Sequence, residues 1–321
     1  MKKTLKILFV VIVIISAAGI AYLKLILPTA GPTEDIKIIS TPERIQHGKY
    51  LANHVAVCID CHSQRDWTKF SGPLVAGTEG MGGEAFTKDL GFPGTFYAKN
   101  ITPSEMGSWT DGALLHAISC GITKEKTALF PLMPYRSYGQ LDKEDLLDII
   151  AYLRTLKPIP NKVPASVPAF PFNLILNTIP TAAHFTKKPD KGITPLYGGY
   201  LVKMASCDDC HTDVINGKKV QGMDFAGGRV FNFPGAKKII SDNITPDKAT
   251  GIGEWTEDMF VSKFKAYADT KTLADYKSPK DYQTVMPWSM YAGMDTVDLK
   301  AIYAYLKTLK PIQHKVISNP N

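Results

Sequence analysis

Apolar residues crowd the start of the chain and then become periodic. A largely apolar run fills residues 7–23, and Leu25, Ile26 and Leu27 extend it past Lys24. A helix needs ~20 mainly apolar residues to cross a bilayer, so residues 1–27 are expected to form a transmembrane anchor with Lys24 snorkelling to the interface. Lys2, Lys3 and Lys6 place the short leading end in the cytoplasm. The competing reading is a cleaved signal peptide, with Ser16-Ala17-Ala18 as a small-residue site. The run continues past that site without a polar boundary, which favours the anchor. Either reading exports the remainder across the inner membrane to the periplasmic side.

Beyond residue 41 the apolar positions take a helical period. Leu146, Ile149, Ile150, Leu153 and Leu156 form one stripe, and Leu299, Ile302, Leu306 and Leu309 repeat it. Asp142 and Asp295 are the expected N-caps of these closing helices, and Pro158 and Pro311 the expected stops. Thr110 and Thr256 are expected to cap middle helices. The segments around Tyr50-Leu51 and Tyr200-Leu201 are expected to form first helices that pack on the last. Gly- and Phe-rich stretches at 72–94 and 217–235 read as loops. The class is mostly α.

The two stripes belong to an internal duplication. Asn100-Ile101-Thr102-Pro103 matches Asn243-Ile244-Thr245-Pro246, and Trp109-Thr110 matches Trp255-Thr256. Met133-Pro134-Tyr135 matches Met286-Pro287-Trp288, and the two units close alike at 152–159 and 305–312. These landmarks divide the chain into an anchor (1–27), a first unit (42–158), a join (159–194) and a second unit (195–312). Eight prolines punctuate residues 157–195, so the join is expected to be extended. Phe170, Phe172, Leu174, Ile175 and Leu176 call for burial, which suggests a strap packed across both units. A patch for docking a partner is the alternative.

Each unit carries the same chemical motif near its start. Cys58-Ile59-Asp60-Cys61-His62 recurs as Cys207-Asp208-Asp209-Cys210-His211. Cys-x-x-Cys-His is the attachment signature of c-type haem: the thiols form thioethers and the adjacent His ligates the iron. Two copies in matching contexts imply two covalently bound haem c groups, on Cys58 and Cys61 and on Cys207 and Cys210. His62 and His211 each supply one axial ligand. Met133 and Met286 are the candidates for the other, 75 and 79 residues after the first Cys of their motifs and each followed by Pro. A thioether opposite imidazole raises the haem potential, and the proline holds the loop extended.

Other candidates are weaker. His54 and Met204 lie just ahead of the motifs, on the helix that faces the proximal side. His47, His116, His184 and His314 have no repeat counterpart and read as hydrogen-bonded or exposed. Trp109 and Trp255 read as packing near a haem edge. Asn100 and Asn243 either stabilise a turn or reach a haem propionate. Cys120, the odd cysteine, reads as a small buried side chain at the end of a helix.

Composition narrows the partners. The formal charge of +7 includes Lys2, Lys3, Lys6 and Lys24 of the anchor; without those four, 33 basic residues face 30 acidic ones. Four haem propionates would add roughly −4, leaving the exported part near neutral. There is no basic stripe for nucleic acid.

The run of Asn-Ile-Thr-Pro, Gly-x-Trp-Thr, Met-Pro-aromatic and Tyr-Leu-x-Thr-Leu-Lys-Pro resembles the cytochrome c subunits of bacterial alcohol and gluconate dehydrogenases. The Pro-Ala-Phe-Pro-Phe-Asn stretch at 168–173 resembles their strap, and the likeness covers almost everything after residue 41. It implies two tandem class I cytochrome c domains with His/Met iron. It also implies electron transfer from a dehydrogenase subunit or quinol donor to an acceptor such as a terminal oxidase of the respiratory chain. Those subunits typically carry three haem domains, whereas this chain has two motifs and an N-terminal anchor. The reading is an electron-transfer protein or a subunit of an oxidoreductase complex, without catalysis of its own. A dihaem enzyme of the peroxidase or thiosulfate dehydrogenase type is the alternative. It would need an open or thiolate-bound iron, which the matched Met-Pro loops argue against.

Overall fold

The computed structural model describes residues 2–232, 238–269 and 283–317. Residues 233–235 of the second Gly- and Phe-rich stretch lie outside the described residues. Helix α1 (Lys2–Leu25) is 24 residues long and apolar enough to cross a membrane, and none of its residues is buried. At 1.5 Å per residue it spans about 36 Å, against a hydrocarbon core of ~30 Å.

The first unit begins with α2 (Pro42–Tyr50), which runs into a wider helical turn at Leu51–Val55. There follow α3 (Cys58–Cys61), α4 (Asp111–Cys120), α5 (Tyr135–Tyr138) and α6 (Lys143–Leu153). The second unit repeats that order with α7 (Pro195–Met204), α8 (Cys207–His211), α9 (Glu257–Lys265), α10 (Trp288–Tyr291) and α11 (Thr296–Leu306). Strands are short. β1 (Ala85–Phe86), β2 (Gly94–Tyr97) and β3 (Val167–Pro168) form an antiparallel sheet in that order, so the join contributes its edge.

Local chemistry explains the helix starts. Thr110 Oγ1 accepts from Ala113 N at 3.1 Å, Thr256 Oγ1 from Met259 N at 3.2 Å, and Asp142 Oδ1 from Glu144 N at 3.0 Å. Asp295 occupies the N-cap position of α11 without a side-chain capping bond; its carboxylate instead pairs with Lys191 at 2.7 Å. Thr41-Pro42 and Thr194-Pro195 start the first helices, each threonine accepting a backbone N–H at 3.2 Å. Helices α6 and α11 end at Leu153 and Leu306, a turn ahead of the prolines expected to stop them.

In each unit the first helix crosses the last, α2 on α6 and α7 on α11. Gly48 and Gly198 mark the crossings: a Cβ on either would overlap the carbonyl of Asp148 or Ala301. Leu146, Ile149, Ile150 and Leu299, Ile302, Leu306 face inward. Each such side chain, fully buried, contributes about 1.5–3 kcal/mol.

The two units share one core and exchange contacts. Tyr50 donates to Asp298 on α11 at 2.6 Å, and Tyr200 donates to Asp145 on α6 at 2.6 Å. Both tyrosines therefore pin the opposite unit, beyond their packing between terminal helices. Burial and the neighbouring carboxylate raise both phenols well above their ordinary range. The join meets the same two acids: Lys188 pairs with Asp145 at 2.5 Å, and Lys191 lies 3.5 Å from Asp298. It thus reaches an acid of each unit. Leu176 is buried and Phe172 joins a ring cluster with Phe96 and Phe130, but Phe170 and Ile175 are 80% and 49% exposed, against expectation.

Candidate haem sites

Each motif starts from a left-handed residue. Val57 (φ 46°) and Ser206 (φ 54°) precede the first cysteines and turn the chain from the first helix into the short motif helix. A β-branched residue such as Val57 rarely occupies this region, and holding it there costs about 1–2 kcal/mol. The preceding carbonyls are tied down: Tyr138 donates to Ala56 O at 3.2 Å and Tyr291 to Ala205 O at 2.8 Å. Each of these buried tyrosines stands five residues after the candidate methionine of its unit, so it links the methionine segment to the cysteine segment. Sequence reasoning missed this pair; its equal place in the repeat was the available signal.

The histidines are held alike. His62 Nδ1 lies 2.6 Å from Lys99 O, and His211 Nδ1 lies 2.7 Å from Asp242 O. A carbonyl only accepts, so Nδ1 carries the proton and the Nε2 lone pair is free for a metal. Burial lowers the pKa of both imidazoles, which favours the neutral, ligating form. The accepting carbonyls are positioned by the next residue. Asn100 donates to Ile159 O (2.8 Å) and Asn161 O (3.1 Å) and accepts from Thr102 N (2.9 Å) and Oγ1 (2.7 Å). Asn243 donates to Ile312 O at 2.8 Å and accepts from Thr245 N and Oγ1 at 2.9 and 2.7 Å. Of the two roles open to these asparagines, the structure assigns the turn. Gly82 and Gly227, both at positive φ, donate to the His62 and His211 carbonyls; a Cβ there would run into the Lys99 or Asp242 peptide.

Cys58, Cys61, His62 and Met133 line one cleft of about 2800 Å³. That exceeds the ~1,000 Å³ upper range of an ordinary ligand pocket. The second set is only partly gathered there. Cys210, Ser206, Val285, Pro287 and Tyr291 line the same cleft, whereas Cys207, His211 and Met286 do not. Met286 lies on a loop with the same turn as Met133: Pro134 and Pro287 share φ −80°, and Tyr135 N and Trp288 N each bond the methionine carbonyl at 2.8 Å. The first unit holds this loop, because Ser71 Oγ donates to Met286 O at 2.6 Å.

The donor set fits haem c. Burial pushes the thiols of Cys58, Cys61 and Cys207 up to about 12, above the ordinary thiol range. The Ser206 Oγ is buried in the cleft wall without a partner among the described residues. Beside Cys61, Arg65 pairs with Asp60 at 2.8 Å and Glu84 at 2.5 Å, all buried or nearly so. Desolvation, then Glu84, raises Asp60 to about 6 despite Arg65. The second motif has Lys219 on Asp208 and Asp209, in a more open setting.

The remaining candidates lie elsewhere. His54 Nδ1 bonds Met290 O across the units at 2.9 Å, and Met204 is fully buried in the core. His47 bonds Asp148 and His314 bonds Ala226 O, each at 2.8 Å, and His184 is exposed. His116 departs from expectation: its Nε2 is buried without a partner among the described residues. Trp109 and Trp255 pack on the core, and Trp109 lines the cleft. Cys120 is buried at the end of α4, as expected.

Comparison with known proteins points the same way. The chain is 29% identical over 283 residues to the cytochrome c subunit of alcohol dehydrogenase (quinone) from Gluconacetobacter polyoxogenes, covering 84% of this chain and 56% of that one. It is 29% identical over 300 residues to the fructose dehydrogenase cytochrome subunit of Gluconobacter japonicus, covering 87% and 55%. The chain is similar to dehydrogenase cytochrome c subunits. A diheme cytochrome c-type protein of Cereibacter sphaeroides is 28% identical over 266 residues, covering 80% of this chain and 83% of the relative. The chain spans about half the length of the dehydrogenase subunits it matches. No protein-family model matches it.

Proposed function

We propose that this protein is a membrane-anchored dihaem cytochrome c that carries electrons between a dehydrogenase or quinol donor and a downstream acceptor such as a terminal oxidase. The observation that carries the reading is the repeated histidine support: in both units Nδ1 is spent on a carbonyl locked by Asn, leaving Nε2 for iron. Haem c supplies reversible one-electron exchange between Fe(III) and Fe(II) when bound. Cys58 and Cys61 hold one group and Cys207 and Cys210 the other. His62 with Met133, and His211 with Met286, would ligate the two irons and leave neither with a position for substrate. The units at 42–158 and 195–312 are tandem class I cytochrome c domains joined by the strap at 159–194, and both stand on the periplasmic side of the inner membrane. Similarity to dehydrogenase cytochrome subunits supports the electron-transfer role.

The test is a set of reduced spectra with and without carbon monoxide. The native protein is expected to show low-spin haem inert to carbon monoxide, and Met133→Ala or Met286→Ala to open one site each. A native haem that binds carbon monoxide would move the protein to the dihaem enzymes, with peroxide and sulfur substrates to try next. Replacements that leave the spectrum unchanged would remove the methionines as ligands.

A further inference from the structure

We propose that the strap at residues 167–175 is a second membrane contact, lying in the headgroup–acyl boundary of the bilayer that α1 crosses. The inference rests on the reading of α1 as an anchor. Val167, Phe170 and Ile175 are 65%, 80% and 49% exposed, an unusual display for apolar side chains on one short segment. The same segment is joined to the end of the anchor. Asn177 Nδ2 donates to Leu23 O at 2.9 Å, and α1 packs against the helical turn Phe172–Ile175. Leu25 and Ile26, near the end of the anchor, are 80% and 56% exposed. The apolar surface of the spanning helix therefore continues onto the strap.

The strap is also rigid enough to act as a platform. β3 pairs with β2, and Phe172 is fixed in the ring cluster with Phe96 and Phe130. An aromatic side chain held outward on a fixed backbone beside a spanning helix suits the interface, where rings and aliphatic groups enter the boundary without burying backbone polar groups. Lys24 on the anchor supplies a cation at that level for lipid phosphates. One consequence concerns orientation. Lys24, Leu27 and Pro28 line the cleft that holds Cys58, Cys61 and His62, so a strap resting on the bilayer turns the first site toward the membrane.

The full-length, haem-loaded protein tests this in vesicles of phosphatidylethanolamine and phosphatidylglycerol. A nitrobenzoxadiazole fluorophore is placed on Phe170→Cys, Ile175→Cys, Ile26→Cys or Leu196→Cys, and quenched by lipids bearing a shallow nitroxide or by aqueous iodide. Lipid quenching at 170 and 175 comparable to that at 26, with iodide quenching alone at 196, is the expected result. Lipid quenching at 26 with iodide quenching at 170 and 175 would overturn the membrane contact and leave the anchor intact. Labels at 170 and 175 shielded from both quenchers would place the patch against a second copy of this chain and also overturn the membrane contact. Absence of lipid quenching at 26 would remove the anchor reading and this inference with it.

Discussion

The two units of this chain share an architecture and differ in how they are insulated. Both repeat the left-handed entry, the His-to-carbonyl bond and the Met-Pro turn. In the first unit, however, the charges beside the motif are locked away: the Arg65 side chain is 8% exposed and held by two carboxylates. In the second, Lys219 is 39% exposed, as are Asp208 and Asp209 to similar degrees. Cys61 is half-buried where Cys210 is exposed. The two repeats share what positions the candidate ligands and differ in the charges around them. In a low-dielectric site a charge acts strongly on its neighbours, and in a wet one solvent screens it. The second site is therefore expected to be the more accessible to a soluble partner, and the first the more shielded.

Breaking the charge clusters should show this contrast most strongly. Arg65→Met leaves two buried carboxylates without their cation, and losing one partner of a buried pair costs about 3–5 kcal/mol. Lys219→Met should cost at most ~1 kcal/mol, because its pairs are solvent-screened. Thermal unfolding of the holoprotein separates them; equal shifts would remove the distinction between the two environments.

The helix crossings should respond alike. Gly48→Ala and Gly198→Ala each drive a methyl into a backbone carbonyl of the closing helix, and overpacking of this kind costs about 1–3 kcal/mol. Denaturant titration of both variants tests the equivalence, and a neutral Gly198→Ala would show that the second crossing is looser.

A smaller effect should sharpen the picture of the interface. Tyr50→Phe and Tyr200→Phe each remove a hydrogen bond to a buried carboxylate that keeps other partners, a net loss of about 0.5–1.5 kcal/mol. Asp298 keeps only longer partners, Tyr197 at 3.3 Å and Lys191 at 3.5 Å, while Asp145 keeps Lys188 at 2.5 Å, so Tyr50→Phe should be the costlier of the two. The reverse order in denaturant titration would mean that the lysine contributes less than its geometry suggests.

Local order was legible in the sequence where it depends on neighbours along the chain. The duplicated motif, the caps at Thr110, Thr256 and Asp142 and the closing stripes all lie within a few residues of what they act on. The exchange of Tyr50 and Tyr200 between units was not legible. A duplicated chain offers each tyrosine two equivalent aspartates, its own and its counterpart's, and only packing chooses. The same holds for the clamp of Ser71 on Met286, which spans the two units. The asparagine role stayed open because an Asx turn and a propionate contact ask for the same side chain; the Ile159 and Ile312 carbonyls, brought back by the closing segments, decided it. Asp295 failed as a side-chain cap because Lys191, remote in sequence, binds its carboxylate.

The central claim is one covalent haem per unit, and intact-mass measurement of the purified chain tests it most directly. The account predicts a native mass equal to the polypeptide plus two haems, with Cys58→Ala/Cys61→Ala and Cys207→Ala/Cys210→Ala each losing one haem and keeping the other. A native chain carrying a single haem, or a double variant that retains both, would contradict it.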